Sequence, residues 1–187
     1  MDSKDSRFIG GHPTPDMRDG MPNRSTRVIF TFSDGSKLYF NDQRRFGWVR
    51  VVKDSASIVQ FMEKLGPEPL EKAFTWQILK NNLLRHKSMP VKVAIMDQTA
   101  ISGVGNIYAN DACFNAKIDP RTKVKDLTDK QFESLHRGVI RSLLDGIKYG
   151  GASKAHFVDA QGHKGYFLDY AFVYGRDSHP CKICKTE

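Results

Sequence analysis

Cys181-Lys-Ile-Cys184 has the spacing with which one turn of chain delivers two thiolates to a tetrahedral zinc ion. Two thiolates are half of a structural zinc set. His179, one residue removed from Cys181, is a candidate third ligand. Redox chemistry is the competing reading of this spacing, but no helix start follows the pair to acidify a thiol. Arg44-Arg45-Phe46 offers different chemistry. A guanidinium can make paired hydrogen bonds to a base edge, and an aromatic ring can wedge between stacked bases. An isolated Arg-Arg-Phe is more commonly a salt-bridging arginine beside a core phenylalanine. Gly103-Val-Gly105-Asn106 suggests a third site. Two glycines around one apolar residue permit a sharp turn, and Asn106 then opens a helix whose unpaired N–H groups favour an anion. Asn106 reads equally as an ordinary helix cap, and the two roles are compatible. Lys92, on the preceding helical run, taken alone is a solvated surface lysine.

The elements that must position these residues follow from composition and pattern. The chain has 187 residues, 40% hydrophobic and 11% aromatic, enough for one packed domain or two small ones. A formal net charge of +8 points to a polyanionic partner, against the plainer reading that lysines solubilise helix faces. No apolar run reaches membrane-spanning length, and Met1-Asp-Ser-Lys-Asp-Ser6 has no signal core, so a soluble, cytoplasmic protein is expected. Three cysteines form no even disulfide framework, and Cys113 reads as a small core residue.

Residues 1–26 read as irregular. Strands are expected at 27–33 and 37–41, joined through Asp34-Gly35, with a third at 46–52 and a short helix over 56–64. Gly66-Pro-Glu-Pro-Leu70 reads as a linker. Helices are expected at 75–86, 91–100 and 106–115. The fourth helix is the best marked: Thr128 and Gln131 fit a capping box, Leu127 can staple Phe132, and Phe132, Leu135, Val139, Leu143 and Ile147 share one face. Gly150-Gly151 ends it, and 165–175 has strand-like composition.

The segment Asp97–Asn110 resembles the helix-two-turns-helix of the formamidopyrimidine-DNA glycosylase family. Three further stretches agree in order: Gly11-His-Pro-Thr-Pro-Asp-Met17, Asn41-Asp-Gln-Arg-Arg-Phe-Gly47, and Val173-Tyr-Gly-Arg176 with Pro180-Cys-Lys-Ile-Cys184. Together they cover nearly the whole chain. The resemblance implies that Arg44 contacts the base orphaned by a flipped-out nucleotide, with Phe46 as the wedge. It implies that Gly105 and Asn106 hold a phosphate, and that Lys92 lies close to the damaged-base pocket or its phosphates. It makes Ala152–Phe157 a loop that closes over an extruded oxidised purine, and Cys181 and Cys184 half of a zinc finger completed by a second Cys-x-x-Cys. Ser25-Thr26-Arg27 departs from relatives, which often carry a histidine there.

The fold class expected is α+β: a partial antiparallel β-sandwich over 1–65, a helix-two-turns-helix DNA-binding domain over 66–157, and a closing loop with an incomplete zinc-finger β-hairpin over 158–187. The family's nucleophile is an N-terminal proline amine followed by a glutamate, whereas this chain begins Met1-Asp2. The family's activity is release of oxidised purines from duplex DNA with cleavage at the abasic site. This chain is expected to bind damaged duplex DNA as a monomer without turnover, with no catalytic residue of its own and with zinc lost or completed by another chain. Two other functions fit part of the sequence. One is a non-catalytic module for abasic or distorted DNA, and the other is an RNA-binding helix-two-turns-helix protein of the ribosome.

Overall fold

The structure, a computed structural model, describes residues 10, 11, 14, 20–153 and 157–186. The chain divides into two compact units, Met1–Lys53 with Ser153–Lys164, and Asp54–Ala152 with Gly165–Glu187.

The first unit is built on a hairpin. β1 (Thr26–Thr31) and β2 (Lys37–Asn41) pair antiparallel, with Ile29 opposite Tyr39 and Thr31 opposite Lys37. The turn forms where Asp34-Gly35 predicts it. The Asp34 carboxylate accepts both the backbone N–H and the hydroxyl of Ser36, at 2.9 and 2.7 Å. Residues 46–52, expected as a third strand, join no ladder among the described residues, and Phe46, Trp48 and Val51 are exposed. Aromatic and β-branched composition favours a strand only where a neighbour supplies the ladder. Gly11 and Val158 exchange two backbone hydrogen bonds of 2.8 Å, which tie these two residues together.

The second unit is helical. It comprises α1 (Ala56–Met62), α2 (Trp76–Leu83) with a 3-10 turn to His86, α3 (Val91–Ala94), α4 (Asn106–Ala116), α5 (Asp129–Lys148) and α6 (Phe167–Tyr170). Thr75 caps α2 by accepting the N–H of Ile78. The capping box of α5 forms as expected, with Thr128 and Gln131 each bonding the other's backbone. Phe132, Leu135 and Val139 are fully buried, but the stripe does not run to its end, because Ile147 is 67% exposed. α4 and α5 approach closely at Gly138, where a Cβ would come within 2.5 Å of the Ala112 carbonyl. Ser142 reinforces the contact, donating to the Gly138 carbonyl and accepting from Asn115. Cys113 is buried in this core, as its apolar neighbours suggest.

Two expectations for this unit change. α3 stops at Ala94 rather than 100, because the Asp97 carboxylate accepts the N–H and hydroxyl of Thr99 and diverts the backbone into a turn. Within residues 165–175 the expected strand is replaced by a helical turn, Phe167–Tyr170. Tyr166 and Phe167 donate their N–H groups to Tyr149 and Gly151 at the end of α5, and the Phe167 ring packs 4.9 Å from Tyr108. Tertiary contacts here override local propensity. No described helix is long and apolar enough to cross a membrane.

Candidate nucleic-acid interface

In the first unit the chain leaves β2 and wraps around one carboxylate. Asp42 accepts the backbone N–H groups of Arg44 and Arg45 at 2.9 Å and of Gly47 at 2.6 Å. These bonds, led by that from Gly47, hold the Asp42 carboxyl below its usual range. Gly47 fits because a Cβ there would lie 2.7 Å from the Phe40 ring. Arg45 takes a left-handed backbone, φ 58°. The result is a braced tip from which Arg44 and Phe46 project together, the guanidinium 4.9 Å from the ring centroid and the ring 76% exposed. An exposed phenylalanine on a hydrogen-bonded loop is not a core residue, so the plainer reading of Arg-Arg-Phe fails for Phe46. Beside the tip, Arg24, Arg27 and Arg45 line a polar concavity with Ser25 and Gln43. The Arg27 Nε is anchored on the Asp42 carbonyl at 3.1 Å.

In the second unit the turn between α3 and α4 is held by Gln98. Its side chain accepts the N–H of Gly103 at 2.9 Å and donates to the Met96 and Val104 carbonyls. Its own carbonyl accepts the N–H of Gly66 at 2.7 Å, and Ser102 bonds Glu68, so the 65–70 segment is strapped to the turn. Of the two glycines, only Gly103 takes a positive φ, 73°. Gly105 lies in extended backbone and is the N-cap of α4, with no side chain to close it. Asn106 is therefore the first helical residue rather than the cap. It is exposed, and the first turn carries no acid. Free amide donors at the positive end of an 11-residue helix make this point anion-seeking.

Lys92 sits on α3, half-buried, and as a cation it opposes the burial that pushes the Cys113 thiol up to about 11. An apolar cavity of about 310 Å³ opens beside the same turn, between Pro69, Leu70, Tyr108 and Ile147.

Beyond α6 the chain is tied to α4 by Asp111. This buried carboxylate accepts the N–H of Phe172 at 3.0 Å and of Val173 at 3.2 Å, and the Phe172 ring stacks 5.0 Å from Phe114. Burial raises the Asp111 pKa, and the two amides oppose the shift. Cys181 and Cys184 then lie on one tight turn, closed by the Cys181 N–H to the Thr186 carbonyl and the Lys185 N–H to the Cys181 carbonyl. Thr186 lowers the Cys184 pKa to about 7, through its side chain first and its backbone second, so the thiol is acidified without the helix start thought necessary. The pair suits a soft metal, but no group of three ligand residues occurs among the described residues, and two thiols do not complete a zinc site. In the 152–157 loop, Ser153 donates to the Phe157 carbonyl. Lys154–His156, the Met1-Asp2 start and most of Gly11–Met17 lie outside the described residues.

The sequence reading did not single out Asp42, Gln98, Asp111 or the arginine concavity. Asp42 carried a signal, since an aspartate before a short loop often collects its amides. Asp111 carried none, because its partners lie 61 and 62 residues away.

Residues 65–158 match the sequence profile of the Formamidopyrimidine-DNA glycosylase H2TH domain. The Formamidopyrimidine-DNA glycosylase of Wolbachia pipientis wMel is 39% identical over 168 residues, covering 90% of this chain and 61% of its own. That of Bacillus subtilis is 36% identical over 165 residues, covering 88% and 59%. The crystal structure of the MutM (Fpg) protein from Thermus thermophilus superposes with a TM-score of 0.75 at 33% identity, covering 88% of this chain and 62% of that one. A complex of the Lactococcus lactis Fpg with DNA containing an abasic site gives 0.76 at 29% identity, covering 90% and 62%. The chain spans about three fifths of the length of the curated relatives it matches.

Proposed function

Because the chain belongs to the formamidopyrimidine-DNA glycosylase family, we propose that it serves base-excision repair by binding damaged duplex DNA and opening the stack at the lesion. The activity proposed for the whole protein is release of oxidised purines followed by cleavage at the abasic site. The reacting sugar carbon is inaccessible in a stacked duplex, so the nucleotide must be turned out and the gap filled. Phe46 is the wedge that fills it, and Arg44 reads the orphaned base. Asn106 and the Gly105 amide hold a phosphate of the lesion strand, and Lys92 serves the damaged-base pocket or its phosphates. None of the described residues is assigned a catalytic role.

The observation that carries this reading is the braced tip, in which one carboxylate fixes three amides and leaves an arginine and a phenylalanine together in solvent. A loop already ordered before binding loses little freedom when it enters the groove. In the same reading, residues 66–157 are the DNA-binding bundle between a β part at 1–65 and a closing part at 158–187. The β1–β2 hairpin belongs to an antiparallel sandwich, and Cys181 and Cys184 are half of a zinc-finger hairpin. The protein acts as a monomer on chromosomal DNA.

Fluorescence anisotropy with a duplex carrying an abasic analogue, the intact duplex and an RNA hairpin tests the reading. The abasic duplex should bind at least tenfold more tightly than either competitor. Equal or tighter binding of the hairpin would favour the RNA-binding alternative. A borohydride-stable adduct with abasic DNA would remove the binding-only assignment of these residues.

A further inference from the structure

Residues 85–92 and 117–126 are far apart in sequence but run side by side. Val91 donates its N–H to the Thr122 carbonyl at 2.8 Å, Val124 to Met89 at 3.0 Å, and Lys125 to Lys87 at 2.9 Å. Pro90 and Lys123 form an antiparallel bridge. Val91 and Val124 are fully buried and pin both segments to the helical core. With Val124 held inward, Lys123 and Lys125 on either side of it are exposed, as are Arg85, Lys87, Lys117 and Arg121.

These 18 residues hold seven cationic side chains, the six just named and Lys92, against two carboxylates, Asp119 and Asp126. Five positive charges therefore remain uncompensated, out of a net +8 for the whole chain. Of these seven cations, only Arg121 has an ion pair among the described residues, to Asp119 at 2.7 Å. Folding has thus gathered like charges on a rigid ridge, where they repel one another unless a polyanion lies across them. Lys117 ends α4, whereas Asn106 begins it. At about 1.5 Å per residue the ridge lies roughly 15 Å along the helix from the amide-presenting end.

We propose that this ridge, centred on Lys87, Lys123 and Lys125, is a second contact for the phosphate backbone of duplex DNA. It continues from Lys92 and adds affinity without reading the lesion. The inference rests on the DNA-binding reading above and extends it to the duplex flanking the damaged site.

The test is the salt dependence of binding by the full chain, measured for intact and abasic-analogue duplexes of equal length. Each phosphate neutralised contributes a slope of about 0.9 in log K against log salt. The triple variant Lys87→Gln, Lys123→Gln, Lys125→Gln should therefore lower the slope by roughly two to three units on both duplexes. Its ratio of abasic to intact affinity should be unchanged. A control triple at the exposed Lys64, Lys72 and Lys130 removes the same charge elsewhere and should leave the slope within one unit of the parent. Circular dichroism confirms that both variants keep their helices. An unchanged slope in the ridge variant overturns the proposal, and so does an equal fall in the control, which would make the effect one of net charge. A parent chain that binds neither duplex overturns the DNA reading itself and this inference with it.

Discussion

Removing the Asp111 side chain tests whether one buried carboxylate joins the helical bundle to the cysteine-bearing end of the chain. In Asp111→Ala the Phe172 and Val173 amides lose their acceptor. A buried donor left without a partner costs about 1–3 kcal/mol. Two such donors, offset by relief from burying a charge, give an expected loss of about 2–4 kcal/mol. Asp111→Asn keeps one acceptor oxygen and should lose about half as much. The two substitutions also differ from the parent in pH dependence. Burial raises the folded pKa of Asp111 above its unfolded value. The folded state therefore takes up a proton that the unfolded state does not, and the parent gains stability from this group as pH falls through the folded pKa. Asp111→Asn cannot titrate, so its deficit should be smallest at neutral pH and widen on acidification towards pH 4. Urea unfolding gives the stabilities, and amide hydrogen exchange at Phe172 and Val173 gives the local effect. If Asp111→Ala stays within 0.5 kcal/mol of the parent with unchanged exchange, the clamp is not holding these residues.

Asn106→Asp should separate folding from binding. A negative charge in the first turn of α4 favours the helix by about 0.3–1 kcal/mol, yet it repels a phosphate at the same point, so stability should hold or rise while duplex affinity falls at least tenfold. Loss of both together in thermal melts and anisotropy would make Asn106 structural. The cysteines should differ in reactivity. In chelator-treated protein, iodoacetamide should label Cys184 with a half-maximal rate near pH 7, whereas Cys113, buried and pushed up to about 11, should react only on unfolding. Mass spectrometry of the labelled peptides reads both, and early labelling of Cys113 would mean that the helical core opens readily.

What the sequence revealed and what it hid divide along the range of the interactions. The Asp34-Gly35 hairpin and the Thr128–Gln131 box are complete within a few residues, and both stand where the sequence places them. The helix expected over 91–100 was shortened by another local device, the Asp97 turn, which a helical apolar pattern masks. Residues 46–52 and 165–175 were misjudged because strand-like composition says nothing about a ladder partner. Arg44 and Phe46 in the first unit, and the Gly103–Asn106 turn in the second, stood out in the sequence as candidates by residue type alone. The polar contacts of Gln98 and Asp111 did not, because they carry no periodicity. The ridge was visible only as net charge until folding laid 85–92 beside 117–126.

The claim on which the rest depends is that the Asp42-braced tip enters the base stack. It is tested most directly with 2-aminopurine placed opposite an abasic analogue, its fluorescence followed as protein is added. Insertion of Phe46 unstacks the probe, so the parent should change the signal on binding, and Phe46→Ala should bind through its phosphate contacts with most of that change lost. An equal signal from Phe46→Ala at saturation would show that the stack opens without the phenylalanine, and the proposed mode of recognition would be wrong.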